Sequence, residues 1–275
     1  MDFTIEKYKE LLEALKRHRY FSIRHDVDLR PDYSLRVAEV EAHQGMKATY
    51  YFRSMHFESH KDTIKAIVDL GHEAGYHYEC LTTCSGDMEA AYEDFCRNLE
   101  LLRKIAPVKT ACAHGSPRSP WNSQIIWETS RLRDLSAEPT AHHKTSRLVG
   151  RADGTPRDIH SYGIEYEPML DTDFSKTLYL TDTGRRWDGY KVSVRDKVPQ
   201  YQEQWTKKGL VFHTTDDIIH ALNDIHHPIH QKELLINTHP QRWMPFGVRW
   251  MMEASSQWWK NQAKRLIVSS HLNQN

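Results

Sequence analysis

Apolar and polar positions along the first half of the chain switch repeatedly between a helical and an extended period. Ile5, Tyr8, Leu11, Leu12 and Leu15 recur at helical spacing and predict an amphipathic helix over 4–18. The short run Tyr-Phe-Ser-Ile, 20–23, predicts a buried strand that ends at His25 and Asp26. Beyond Pro31 the pattern is helical again over 33–43, and Gly45 stands where a C-cap glycine stops a helix. Ala-Thr-Tyr-Tyr-Phe, 48–52, is made of strand formers. The cycle repeats with a helix over 61–70 closed by Gly71, a strand over 73–78, a long helix over 87–105 and a strand over 108–113. Strands and helices alternating at this spacing imply parallel pairing with helices outside, the α/β class.

The second half is less regular. Residues 177–180 and 234–237 are its clearest strands, and 248–267 predicts a closing helix rich in Trp and Met. There is no internal repeat, low-complexity tract or linker, so residues 1–275 read as one domain, a size common for a single α/β barrel.

Polar groups gather where the strands end. The first strand ends in His25, Asp26 and Asp28, and another in His77 and Glu79. A third ends in His114 and a late one in His239. In a parallel α/β fold the carboxyl ends of the strands share one face, and that face carries the site. Two carboxylates as close as Asp26 and Asp28 repel, which a divalent cation relieves. One Asp can bind the ion while the other stays ionised as a base. Histidine and carboxylate donors suit zinc or a similar first-row metal, and a protonated histidine across the site could donate to a leaving group. Taken singly, each residue also has a plainer use in a turn, a cap or the core. Their shared position at strand ends is what favours a site.

Composition narrows the partners. Lys+Arg and Asp+Glu both number 37, so the formal net charge is zero, which removes the broad electrostatic case for nucleic acid or an anionic membrane and leaves room only for a local basic patch. Cys80, Cys84, Cys96 and Cys112 form no C-x-x-C pair. The charged N-terminal stretch lacks a signal-peptide core, and no apolar run reaches the roughly 18 residues of a membrane span. The expected location is the cytoplasm. His142-His143 and the His-rich 226–230 lie in polar stretches and are weak metal candidates. His-Thr-Thr-Asp-Asp, 213–217, reads as a helix start at Thr215 and Asp216.

The segment His-Asp-Val-Asp-Leu-Arg-Pro, 25–31, is followed by a helix, a glycine, Ala-Thr-Tyr-Tyr-Phe and Gly-His-Glu-Ala-Gly-Tyr-His, 71–77. In order and spacing this resembles the NodB-homology polysaccharide deacetylases, carbohydrate esterase family four, and within it the WbmS-like subgroup. The resemblance is specific over about 20–80 and looser at 113–117, 179–184 and 234–240. It implies a distorted (β/α) barrel of the polysaccharide-deacetylase type and metal-dependent hydrolysis of an N-acetyl amide on a carbohydrate, and the missing signal-peptide core points to a nucleotide- or lipid-linked sugar precursor as the substrate. It implies one divalent ion, zinc first, with cobalt, nickel or iron as alternatives. Asp26 matches the catalytic base, Asp28 the metal-binding aspartate, His77 the first metal histidine and His239 the general acid. Arg24, His25, Arg118, Trp121, Asp182 and Trp243 are expected around the substrate.

Two departures stand out. The family's second metal histidine would fall at position 81, which is Leu81. His114 is the favoured replacement, with Glu79 as the alternative and Cys80 behind both. The family's arginine motif has only an approximate counterpart at 113–120, so Arg118 or Arg24 would hold the base. Two other functions follow from the same residues: a degenerate barrel that binds carbohydrate or a protein partner, and a hydrolase of cyclic amides or ureides.

Overall fold

The computed structural model describes residues 1–116, 119–127, 157–189, 193 and 196–272, with side chains of the last helix described as far as 262. Arg118 and the His142-His143 pair lie outside the described residues.

The first helix, α1 (Ile5–Leu15), starts at Thr4, whose hydroxyl accepts from the Lys7 amide. Strand β1 covers Phe21–Val27, so it runs through Arg24, His25 and Asp26 and ends one residue past the expected His25-Asp26. Helix α2 (Pro31–His43) has Pro31 in its first turn, where a missing N–H costs nothing. Then come β2 (Thr49–Phe52), α3 (Lys61–Asp69), β3 (Glu73–Tyr78), the short α4 (Cys80–Thr83), α5 (Met88–Arg103) and β4 (Ala111–Ala113). The remainder supplies α6 (Pro168–Asp171), β5 (Thr177–Thr181), α7 (Pro199–Lys207), α8 (Thr215–Asn223), β6 (Glu233–Thr238) and α9 (Val248–Leu272). The strands hydrogen-bond in the order β4-β3-β2-β1-β6-β5, and the β1–β6, β5–β6 and β3–β4 pairings are parallel. This is the expected α/β architecture, a distorted (β/α) barrel sheet. No described helix is long and apolar enough to cross a membrane.

The chain divides into two compact units. The first comprises Met1–Tyr50, Asp62–Glu73 and Asp173–Asn275. Its centre is β1 paired with β6, Arg24 opposite Asn237 and His25 opposite Thr238. Side chains alternate across a strand, so Arg24 and Asp26 share one face while Ile23, His25 and Val27 share the other. On that second face a charged network is wholly buried. Glu41 of α2 accepts from His25 Nε2 at 2.8 Å, from the Tyr50 hydroxyl at 2.6 Å and from the Tyr8 hydroxyl. His25 Nδ1 meets the Thr238 hydroxyl at 2.7 Å. Burial pushes the Glu41 carboxyl up, but His25 and the two phenols outweigh it and hold its pKa below the ordinary value.

The second unit comprises Tyr51–Lys61 and Ala74–Thr172. Tyr76 and Tyr78 of β3 turn toward Phe95 of α5, which also packs on Trp127. His77 therefore points to the opposite face, in register with Cys112. Gly75 is required where it stands, because a Cβ there would meet the Tyr51 ring at 2.5 Å.

The His-Thr-Thr-Asp-Asp segment does begin a helix. Its cap is Thr214, one residue earlier than expected, in a capping box with Asp217.

Glu41→Gln places an amide NH2 against groups that donate and leaves His25 without its carboxylate. The expected cost is roughly 3 kcal/mol of unfolding free energy. Urea titration of both proteins measures it, and a loss below about 1 kcal/mol would show the network to be dispensable.

Candidate active site

The first unit carries a carboxylate–histidine cluster at the carboxyl ends of β1, β6 and β5. Asp26 is buried on β1. Its Oδ2 accepts from Arg24 Nη2 at 3.1 Å and from Asn237 Nδ2 at 2.9 Å. The parallel register that sets Arg24 beside Asn237 makes this clamp possible. The Arg24 guanidinium also lies over the Tyr179 ring, 5.9 Å from its centroid. Asp28 lies just past the strand, and its amide donates back to the Asp26 carbonyl at 3.1 Å.

His239 follows β6 directly and is buried. Its Nε2 is 3.6 Å from Asp28 Oδ2. Its Nδ1 is 2.6 Å from Asp182 Oδ1 and 2.7 Å from Arg242 Nη1. A carboxylate only accepts and a guanidinium only donates, so the Nδ1 proton goes to Asp182 and the Arg242 contact is not a hydrogen bond. Arg242 instead donates to Asp182 itself, at Oδ1 and at its carbonyl, the latter at 2.9 Å. Asp182 also accepts from Trp243 Nε1 at 2.8 Å and from the His239 amide at 3.0 Å. Burial alone would raise the Asp182 pKa, but Arg242 and His239 outweigh it and bring it from 3.8 to about 2. For His239, burial and Arg242 press the pKa down. Asp182 and Asp28 overcome them and leave it above the ordinary histidine value.

The second unit carries the imidazole cluster. His77 Nδ1 lies 3.0 Å from the Cys112 carbonyl, which only accepts, so Nδ1 bears the proton and Nε2 presents a lone pair. His114 continues the β4 ladder, its amide donating to the Tyr78 carbonyl at 2.8 Å. Its Nδ1 is 3.1 Å from His77 Nε2. Two nitrogens bound to one tetrahedral zinc would stand about 3.3 Å apart, so this imidazole pair fits a shared first-row ion. The carbonyl on His77 Nδ1 is the usual partner that orients a ligating histidine. Glu79 has its carboxylate occupied by Arg53, through Nε at 2.8 Å and Nη2 at 2.9 Å. Cys80 is buried, with its thiol pushed well up by desolvation and by Asp94, and does not offer a thiolate. Trp121 stacks against Gly86, where a Cβ would meet the indole at 2.4 Å, and is 40% exposed.

Three residues expected to meet the substrate serve the protein's interior. His25 belongs to the Glu41 network on the other face of β1 because strand residues alternate. Asp182 and Trp243 are fully buried, one holding His239 and the other holding Asp182. Three functional candidates escaped the sequence reading. Arg242 lies three residues beyond His239, a spacing that could have flagged it. Arg53 follows β2 and is another charged residue at a strand end. Asn237 is an unremarked amide in a strand and becomes informative only through its pairing with β1.

No family model matches the chain, and no curated protein matches it. Among solved structures it is similar to a family 4 carbohydrate esterase from Streptomyces lividans in complex with acetate. That likeness has 12% identity, covers 89% of this chain and 88% of that one, and has a TM-score of 0.40. A mutant of the peptidoglycan deacetylase PdaC from Bacillus subtilis is similar at 9% identity over 90% of this chain and 97% of that one, with a TM-score of 0.36.

The Asp182 carboxylate couples stability to pH. Its folded pKa of about 2 lies below the ordinary 3.8, so its contribution is present above pH 3.8 and is lost as pH falls toward 2. A difference of nearly two units corresponds to about 2 kcal/mol. Asp182→Asn is therefore expected to be less stable than wild type at pH 5, with the gap closing by about that amount near pH 2. Denaturant titrations across this range test it. A constant gap would mean that the carboxylate charge contributes nothing.

Proposed function

We propose that this chain is a metal-dependent hydrolase of the NodB-homology type. It removes an N-acetyl or similar acyl group from a sugar, and its substrate is a nucleotide- or lipid-linked precursor in the cytoplasm. The observation that carries the reading is His239, held by Asp182 at 2.6 Å and facing Asp28 at 3.6 Å, beside an aspartate clamped by Arg24 and Asn237. A fixed carboxylate and a histidine with a raised pKa are the base and the acid that amide hydrolysis needs.

In this proposal Asp28, His77 and His114 hold the ion. A carboxylate with two imidazoles suits zinc, and the set leaves positions open. The occupied carboxylate of Glu79 supports His114 as the third ligand. A divalent ion there would supply Lewis acidity to the acyl oxygen and lower the pKa of water. Asp26 takes the proton of the attacking water, and Arg24 and Asn237 keep its carboxylate aimed. His239 gives its Nε2 proton to the departing nitrogen, while its Nδ1 keeps its own proton in the hydrogen bond to the Asp182 carboxylate. Arg242 and Trp243 hold Asp182 and so fix the plane of the imidazole.

The test pairs product analysis with metal content. Wild type is incubated with N-acetylated nucleotide sugars and chitin oligomers, and acetate and free amine are quantified together. Equal amounts of both are expected. Asp26→Asn should lower kcat by about 10²–10⁴ while retaining metal. His77→Ala and His114→Ala should lose the metal, and Glu79→Gln should keep it. Full activity in Asp26→Asn would remove Asp26 as the base. Metal retained in His114→Ala but lost in Glu79→Gln would move the third ligand to Glu79.

A further inference from the structure

The last helix is amphipathic in the reverse sense. The face of α9 that packs on its own unit is polar. Gln257 is buried, its Nε2 donates to Asn261 Oδ1 at 2.8 Å, and Asn261 Nδ2 donates to the Gly184 carbonyl at 2.8 Å. Glu253 pairs with Arg185, whose guanidinium lies over the Trp250 ring, 4.5 Å from its centroid. Trp250 Nε1 donates to the Phe3 carbonyl at 3.0 Å. The opposite face exposes Val248, Met251, Met252, Trp258 and Trp259, with Trp259 68% exposed. Positions 248, 251, 252, 255, 258 and 259, apolar at all but Ser255, follow the i, i+3, i+4, i+7 stripe that a surface helix normally turns inward. Rolling the helix to bury this stripe would break every polar anchor on its other side.

Charge selects the occupant. Among the residues of α9 whose side chains are described, Arg249 and Lys260 are basic and exposed, and the single acid, Glu253, is already neutralised by Arg185. A second copy packing on the same stripe would bring two cationic helices together. An anionic lipid surface instead offers an apolar layer for the Met and Trp side chains and negative charge for the basic ones. Tryptophan is the residue that settles at such an interface. We infer that α9 docks flat on an anionic phospholipid bilayer through Val248, Met251, Met252, Trp258 and Trp259. The docking is independent of catalysis.

The experiment is co-sedimentation of the full chain with phosphatidylcholine vesicles, with and without phosphatidylglycerol. Binding is expected only where phosphatidylglycerol is present, and it should fade in about 0.5 M salt. The double variant Trp258→Ser, Trp259→Ser should bind about tenfold more weakly with unchanged circular dichroism and melting temperature. Lys260→Glu, which leaves the apolar stripe intact, should also weaken binding. No sedimentation with anionic vesicles, or equal sedimentation of wild type and both variants, would overturn the proposal. So would a wild-type dimer in sedimentation equilibrium that the double variant disperses, because the stripe would then be a face between copies.

Discussion

The parallel pairing of β1 with β6 is the constraint on which the carboxylate–histidine cluster depends. It sets Arg24 opposite Asn237, and both then reach one oxygen of Asp26. It also brings β6 to its end at His239, beside Asp28. A shift of one residue would turn Asp26 toward the helices and His25 toward the open face. Buried apolar residues in both strands, Ile23 and Ile236, make such a shift expensive.

Two buried carboxylates lock this arrangement from opposite sides. Glu41 gathers His25, Tyr8 and Tyr50 on the helix-covered face of β1. Asp182 gathers His239, Arg242 and Trp243 at the end of β5. Each has several donors, and a buried charge is stable only when its lone pairs are satisfied in this way. The two differ in consequence. Glu41 fixes the strand beneath the cluster, whereas Asp182 fixes the tautomer and raises the basicity of the histidine within it.

Much of the architecture could be read along the chain. The strand over Glu73–Tyr78 fell where the sequence placed it, the amphipathic spacing of α1 gave a helix from Ile5, and the helix start expected at Thr215 came one residue earlier at its cap, Thr214. The first strand ran further than the apolar run alone implied. Arg24, His25 and Asp26 are polar yet extended, and tertiary partners satisfy them within the sheet. The roles of individual polar residues were less accessible. Trp243 and Asp182 sit in suggestive segments, but burial turns them into supports for His239. Arg242 and Arg53 gain meaning only from the carboxylates they meet.

Local spacing along the chain is enough to specify the alternation of strands and helices and the gathering of aspartate and histidine at strand ends, because both are short-range patterns. Tertiary structure decided which face each of those residues occupies, which carboxylate each base engages and which side of α9 meets solvent. Those outcomes depend on register and on partners more than 200 residues away, as Asp26 and Asn237 show. Hydrophobic periodicity would have turned the apolar stripe of α9 inward. The anchors from Gly184, Arg185 and Phe3 turned it out, because a helix settles on whichever face its neighbours can satisfy.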